Sequence, residues 1–250
     1  MRHCKRNRCD RERGWRSGDR EDLSMNGIEP WKIRAHIYER LIATGRVPLV
    51  AELVQTAGSS SEAIATALQS LHEQHHVVVG DDGEVAVAHP FSSVPTGFLV
   101  TYGAVSAWGF CIWDALGIAA MTSKNASIDV SCSTCFRRIR LEICGASLVT
   151  GCQYVAQFIV PPQHMWDDVR LTCAMQLAFC HELHAQQWRR NFGRGPGSLL
   201  PMEKTWQLAE RWYGEDRRLP SWRRRTVEEA NTIFSELALP REFWRLDDPT

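Results

Sequence analysis

The feature that most constrains the fold is a long uncharged stretch that ends at one carboxylate. Residues 94 to 113 carry no charged side chain, and Asp114 follows directly. The stretch is long enough to cross a bilayer, but it contains Pro95 and three glycines. An aspartate at mid-membrane would also cost about 2.5 to 3.5 kcal/mol. We therefore do not expect this stretch to cross a membrane.

Two chemically unlike side chains stand at the end of this stretch. In F-C-I-W-D-A-L-G, residues 110 to 117, Cys111 and Asp114 are three positions apart. On a helical turn these positions share one face, so a soft nucleophile and a proton carrier would face the same small volume. The alternative is a core cysteine beside a helix-capping aspartate, since free cysteines are among the most buried residues. These eight residues alone leave both interpretations open.

Composition limits the class of protein and its partners. With 250 residues, 44% of them hydrophobic, the chain can form one large domain, or a small domain and a larger one. The acidic and basic counts are equal, 29 each, so partners of extreme charge are not implied. Nine unevenly spaced cysteines do not indicate a disulfide scaffold, and the charged N-terminal residues lack the apolar core of a secretory signal. We expect a cytoplasmic protein with reduced thiols.

The first part of the chain has the element order of a winged helix. Residues 1–24 are charged and without hydrophobic periodicity, which predicts a disordered tail. Residues 25–90 show three helical patterns and then V-V-V-G-D-D-G-E-V-A-V, which is typical of a hairpin. The apolar positions are Ile33, Ile37 and Leu41 in the first helix, Leu49, Leu53 and Val54 in the second, and Ile64, Leu68 and Leu71 in the third.

The third helix decides how such a module would be used. Residues 60–70 would occupy the major groove in a DNA-binding winged helix, yet they contain no Arg or Lys. Because phosphate contacts dominate DNA affinity, we expect at most weak DNA binding and a structural or docking role for this module. The basic residues within 1–24 are the main feature that favours the alternative, a winged-helix transcriptional regulator with a cysteine site for a soft metal.

The remainder predicts an α+β protein, in which the winged-helix-like module precedes a mixed α/β catalytic domain with antiparallel strands. We assign residues 91–192 to this core, with paired strands on either side of Ser133-Thr134 and a further strand from Gln153 to Val160. From Trp166 onward the pattern is mainly helical. Residues 193–250 are predicted to form a helical C-terminal extension of unassigned function.

Several cysteines and histidines are spaced like metal ligands. Cys132 and Cys135 form a CxxC, and a second group contains Cys173, Cys180, His181 and His184. The two groups together have enough soft ligands to close a structural zinc site. The spacing of the second group is irregular for zinc, however, so ordinary core thiols and solvated histidines remain the alternative.

Three short segments, in this order, resemble the organomercurial (alkylmercury) lyases. The resemblance covers roughly the middle third of the chain, and that family also carries a winged-helix-like region at its N-terminus. The segments are Ala107-Trp108-Gly109-Phe110-Cys111-Ile112-Trp113-Asp114-Ala115-Leu116, Val130-Ser131-Cys132, and Asp168-Val169-Arg170-Leu171-Thr172-Cys173, with Phe179 and Trp188 beyond.

The resemblance implies a role for each matching residue. Cys111 and Cys173 match the two thiols that grip mercury, Asp114 matches the catalytic acid, and Cys132 matches a cysteine that serves structure. Some members carry a further cysteine after the second thiol, whereas this chain has Ala174 there. Soft thiolates and one proton carrier are what carbon–mercury protonolysis needs. We expect the apolar pocket to raise the pKa of Asp114.

The resemblance also implies the cofactor and partner requirements. The substrate is an organomercurial, and the products are a hydrocarbon and Hg(II). No resident cofactor is expected, because mercury arrives with the substrate, but external thiols are expected to help product release. A mercuric reductase that receives Hg(II) is a candidate partner. A relative with the same fold and an altered substrate remains a further alternative.

Overall fold

The structure is a computed structural model that describes residues 28–122 and 125–247. The predicted disordered tail, residues 1–24, lies outside the described residues. The described chain forms one eight-stranded sheet, one three-stranded sheet and helices packed against them. The prediction of a mixed α/β protein with antiparallel strands is confirmed.

Three helices and a short hairpin come first, in the predicted order. Gly45, with a φ of 71°, ends the first helix, and the Ser60 side chain caps the third by accepting from the Ala63 amide at 3.2 Å. The elements are α1 (Pro30–Thr44), α2 (Val50–Ala57), α3 (Ser61–Glu73), β1 (Val78–Val79) and β2 (Val85–Ala88).

The hairpin strands continue into the large sheet. That sheet has the order β1-β2-β3-β5-β4-β6-β7-β8, and all of its neighbouring strands are antiparallel. Its other strands are β3 (Phe91–Ser92), β4 (Leu99–Tyr102), β5 (Val105–Gly109), β6 (Asn125–Ser131), β7 (Arg138–Cys144) and β8 (Ser147–Thr150). Residues on either side of position 90 therefore share one sheet.

Strands β6 and β7 are the predicted pair on either side of Ser133-Thr134. Their register runs from Asn125 opposite Cys144 to Ser131 opposite Arg138. Buried and exposed positions alternate along both strands, so one face of the hairpin packs on the core and the other faces solvent.

Helix α4 (Ile112–Thr122) is the continuation of the uncharged stretch, and it lies in the core. Residues Ile112 to Met121 are all buried. A helix that is apolar all round is stable only when other elements enclose it. Within the described residues, no helix is long and apolar enough to cross a membrane.

The C-terminal part combines helices with a second sheet. Strands β9 (Val155–Phe158), β10 (Leu177–Phe179) and β11 (Ser198–Pro201) have the order β10-β9-β11. The sequence predicted β9 but missed β10 and β11, which lie in the region from Trp166 onward that was predicted to be mainly helical. The helices are α5 (Val169–Ala174), α6 (Glu182–Asn191), α7 (Met202–Tyr213), α8 (Val227–Glu236) and α9 (Arg241–Trp244).

Helix α7 packs directly on α4, although the predicted core ends at residue 192. At Gly117 of α4 an added Cβ atom would lie 2.4 Å from a ring carbon of Tyr213. Only a residue without a side chain lets the aromatic ring come this near. Gly117 therefore sets the position of Tyr213 in the core.

We expect Gly117→Ala to destabilise the protein by about 1 to 3 kcal/mol, the usual cost of overpacking a core. The added methyl group would overlap the Tyr213 ring and must displace it. The displacement is costly because the ring is buried in the core. Chemical denaturation measures the loss. Gly97→Ala is the matched control, since a Cβ atom at this exposed glycine has no neighbour within 4 Å. Equal stability of the two variants would contradict this packing.

Candidate active site

Cys111 and Asp114 lie together at the N-terminus of α4. The Cys111 carbonyl accepts a hydrogen bond from the Ala115 amide at 2.9 Å, so Cys111 occupies the N-cap position. Its Sγ also accepts from the Asp114 amide at 3.4 Å and lies 3.1 Å from Asp114 Oδ2. The cysteine is thus the capping residue, and the aspartate carboxylate is directed to other side chains.

Cys173 approaches the same carboxylate from α5. Its Sγ lies 3.6 Å from Asp114 Oδ2, although the two residues are 59 positions apart. Asp168 caps α5 by accepting from the Leu171 amide at 2.9 Å, and Thr172 Oγ1 donates to the Met165 carbonyl at 2.9 Å. The structure therefore brings the three predicted residues together, with one carboxylate oxygen between two thiols.

Three further residues complete this environment, and no local sequence pattern indicated them. The Tyr213 hydroxyl donates to Asp114 Oδ1 at 2.5 Å across 99 positions. His89 Nδ1 lies 3.6 Å from the same oxygen. The Cys111 thiol lies 2.9 Å from Gln176 Oε1, which can accept its proton in a hydrogen bond. Spacing along the chain reveals contacts within one helix, but these contacts join separate elements.

Burial keeps both thiols protonated near neutral pH. Desolvation raises the pKa of Cys111 well above its ordinary value, and the negative charge of Asp114 adds to the effect. A hydrogen bond from Cys111 lowers the pKa of Cys173, but burial and Asp114 outweigh it and raise this pKa to about 11. The resting site therefore holds two thiols rather than two thiolates.

The pKa of Asp114 moves in the direction opposite to our expectation. Burial does raise this pKa, but hydrogen bonds and charge from His89, together with hydrogen bonds from Tyr213 and Cys111, lower it below its ordinary value. The prediction of a raised pKa was wrong because it counted the apolar surroundings and missed these donors. In the resting protein Asp114 is thus a carboxylate, ready to accept a proton.

A cavity of about 90 Å³ opens onto the carboxylate and one thiol. Asp114 and Cys173 are part of its wall, and most of the remaining wall is aromatic or apolar. His89 also faces this cavity, and its Nε2 is buried without a hydrogen-bond partner among the described residues. Other wall residues include Trp113, Met165, Trp166, Trp212, Tyr213 and Trp222. A small apolar group bound here would contact Cys173 and the proton carrier.

The other predicted thiol group forms a separate cluster. Sγ atoms of Cys132, Cys135 and Cys180 and a ring nitrogen of His184 all lie within 4.8 Å of one another. Cys173 does not belong to this cluster, because its sulfur, together with His89 and Asp114, belongs to the candidate active site. Of the second group considered in the sequence, Cys180 and His184 thus join this cluster, whereas Cys173 does not.

Comparison with known proteins agrees with this geometry. Residues 91–214 match the family model described as MerB, alkylmercury lyase. A solved structure described as the mercury-bound form of MerB2 has a similar fold, with a TM-score of 0.58 at 18% sequence identity. The similarity covers 71% of this chain and 86% of that chain. No curated protein matches the sequence.

The fold and the family match define a carbon–mercury lyase of the alkylmercury lyase type within residues 91–214. Residues 91–214 give this protein an alkylmercury lyase domain. It is an organomercurial lyase, which cleaves the carbon–mercury bond by protonolysis and thereby detoxifies organomercurials in mercury resistance.

The raised pKa of Cys173 predicts a loss of stability in alkali. A thiol whose pKa is raised in the folded state contributes stability that is present below its unfolded pKa of 9.0 and is lost as the pH rises through about 11. At about 1.4 kcal/mol for each pKa unit, the loss is about 3 kcal/mol. Denaturation of wild type and Cys173→Ser from pH 8 to 11 measures it. Parallel pH profiles of the two proteins would contradict the raised pKa.

Proposed function

We propose that Cys111, Asp114 and Cys173 perform the protonolysis of the carbon–mercury bond in this enzyme. The observation that supports this assignment is one carboxylate oxygen, Asp114 Oδ2, within 3.1 Å of one thiol sulfur and 3.6 Å of the other. A proton can therefore pass from a thiol to the carboxylate inside a site where all three residues are buried.

The first steps convert the two thiols into mercury ligands. Cys173, which faces the cavity, gives its thiol proton to the ligand that mercury carried in solution and forms a sulfur–mercury bond, and the protonated ligand leaves through the cavity. Cys111 then forms the second sulfur–mercury bond, and its proton passes to Asp114 Oδ2. Mercury now has two sulfur ligands and the organic group, and Asp114 is a neutral carboxylic acid.

The final chemical step uses that acid. Asp114 donates its proton to the carbon bound to mercury, and the electron pair of the carbon–mercury bond becomes the new carbon–hydrogen bond. The hydrocarbon leaves, Asp114 returns to a carboxylate, and Hg(II) remains between the two sulfurs. Two thiolate ligands raise electron density on mercury, which favours proton transfer to the carbon.

Tyr213 and His89 act on this step through Asp114. The Tyr213 hydroxyl and His89 Nδ1 approach Oδ1, so Oδ2 remains free to exchange its proton with the thiols and the substrate carbon. Both residues favour the carboxylate form at rest and hold the carboxyl group in one orientation. The surrounding aromatic wall is suited to the apolar organic group of the substrate.

The release of Hg(II) and the cellular location of the enzyme both follow from the chemistry of its thiols. Two buried thiolates bind Hg(II) tightly, so external thiols are needed to remove it by ligand exchange. A mercuric reductase is a suitable acceptor, because reduction prevents the ion from returning. The seven cysteines of the described residues are all free, which is consistent with a reducing cytoplasm.

The N-terminal helices and hairpin support a docking or structural winged helix. Strands β1 and β2 extend the catalytic sheet, so this hairpin is held against the enzyme rather than free to enter a DNA groove. Helix α3 carries no Arg or Lys, and its apolar face, Ile64, Ala67, Leu68 and Leu71, is buried. Nothing in the described structure favours the regulator.

We expect Asp114→Asn to bind methylmercury but to release methane about 10² to 10⁴ times more slowly than wild type. The amide keeps the shape of the carboxylate, but it cannot take a thiol proton and deliver it to carbon. Mercury binding, methane release and the thermal midpoint are measured on the same sample. A folded variant with a near wild-type rate would remove Asp114 from the mechanism.

Cys111→Ser and Cys173→Ser should each abolish turnover, because both sulfurs are needed to activate the bond. Cys144→Ser is the matched control, since Cys144 is an exposed free cysteine at the end of β7 and is not one of the proposed catalytic residues. Retained methane release in either of the first two variants would show that the corresponding thiol is dispensable.

A further inference from the structure

We propose that Cys132, Cys135, Cys180 and His184 bind one zinc ion, in a structural site separate from the site of carbon–mercury cleavage. This zinc site goes beyond the lyase activity and uses none of its three proposed catalytic residues. It would also revise the expectation that the protein holds no resident metal.

The distances between the ligand atoms fit a tetrahedral ion. With zinc–sulfur bonds of about 2.3 Å and a zinc–nitrogen bond of about 2.1 Å, neighbouring ligand atoms lie about 3.5 to 3.8 Å apart. Cys135 Sγ lies 3.7 Å from Cys180 Sγ, and Cys132 Sγ lies 3.4 Å from His184 Nδ1. All four atoms lie within 4.8 Å of one another, so small side-chain movements complete the tetrahedron.

The backbone fixes the first two ligands on one turn. After β6, the Cys132 amide donates to the Arg137 carbonyl at 2.9 Å, and the Phe136 amide donates to the Cys132 carbonyl at 2.9 Å. This turn places the sulfurs of Cys132 and Cys135 on the same side. Two cysteines separated by two residues are the usual half of a structural zinc site.

The other two ligands come from the start of α6. Cys180 directly follows β10, and His184 lies in the first turn of the helix. The Cys180 amide donates to Cys132 Sγ at 3.4 Å, which joins the two halves of the cluster. The N-terminus of α6 is the positive end of the helix dipole, so it favours the negative charge of nearby thiolates.

The chemistry of the ligand set selects zinc. Three thiolates and a neutral imidazole around Zn²⁺ give a local charge of about −1, and Cys₃His is a common structural zinc set. Cys132 is fully buried, whereas Cys135 is exposed, so the ion has a path from solvent. Mercury is also a soft metal that thiolates bind, so it is the natural competitor and must be an arm of the test.

The site would stabilise a segment that carries active-site groups. Strand β10 has Gln176 immediately before it and Cys180 immediately after it. The Ser133 amide donates to the Ala178 carbonyl at 3.1 Å, so the turn already contacts this strand. A zinc ion would fix β10 and α6 to the β6–β7 turn, and Gln176 would thereby keep its contact with Cys111.

Metal content of the full-length protein tests the site. The protein is purified with a thiol reductant and supplied with zinc before dialysis; we expect about one zinc per chain. Replacement with Co²⁺ should give the intense d–d absorption of a tetrahedral ion and sulfur-to-cobalt charge transfer. Less than a tenth of a zinc per chain, iron in place of zinc, or a Cys135–Cys180 disulfide in the reduced protein would each overturn the proposal.

Variants separate this site from the mercury site. Cys135→Ser should lose the zinc, whereas Cys144→Ser and Cys173→Ser should keep it. His184→Cys retains four ligands and should still bind zinc. A circular dichroism spectrum of Cys135→Ser that matches the wild type shows that its loss of zinc is not a general folding failure. Equal zinc in wild type and Cys135→Ser, or a cluster that binds added Hg(II) but no Zn²⁺, would contradict the assignment.

Discussion

The buried carboxylate of Asp114 holds together the candidate active site and the helices around it. Only 2% of this residue is exposed, and an unpaired charge at such a position would cost several kcal/mol. Its partners are Cys111 before α4, Cys173 on α5 and Tyr213 on α7. The carboxylate thus connects three separate elements, and the chemistry and the packing require the same contacts.

This arrangement also determines where the protons are before substrate arrives. The pKa values of both thiols are raised and that of the carboxylate is lowered, so the resting site holds two thiols and one carboxylate. In the proposed mechanism mercury binding displaces the thiol protons, and the Asp114 carboxylate, 3.1 Å from the Cys111 sulfur, is the basic group that can take one. On this proposal, the proton that cleaves the carbon–mercury bond is released by the binding of mercury to the thiols and does not pass through bulk water.

The sequence predicted contacts within one helix but missed contacts between elements that are distant along the chain. The spacing of Cys111 and Asp114 indicated a shared face, and the two side chains lie 3.1 Å apart in the structure. Tyr213 and His89 were missed because their contacts arise only when distant elements pack. The same donors explain why the pKa of Asp114 is lowered, since composition shows the apolar surroundings but not the hydrogen bonds.

The most direct test is the protonation state of Asp114 during a single turnover. Rapid mixing with an organomercurial, followed by infrared difference spectroscopy, reports the carbonyl stretch of a protonated carboxyl group. We predict that this band appears after mercury binding, decays as hydrocarbon is released, and is absent in Asp114→Asn. Hydrocarbon release from the wild type while Asp114 remains a carboxylate throughout would contradict proton delivery by this residue.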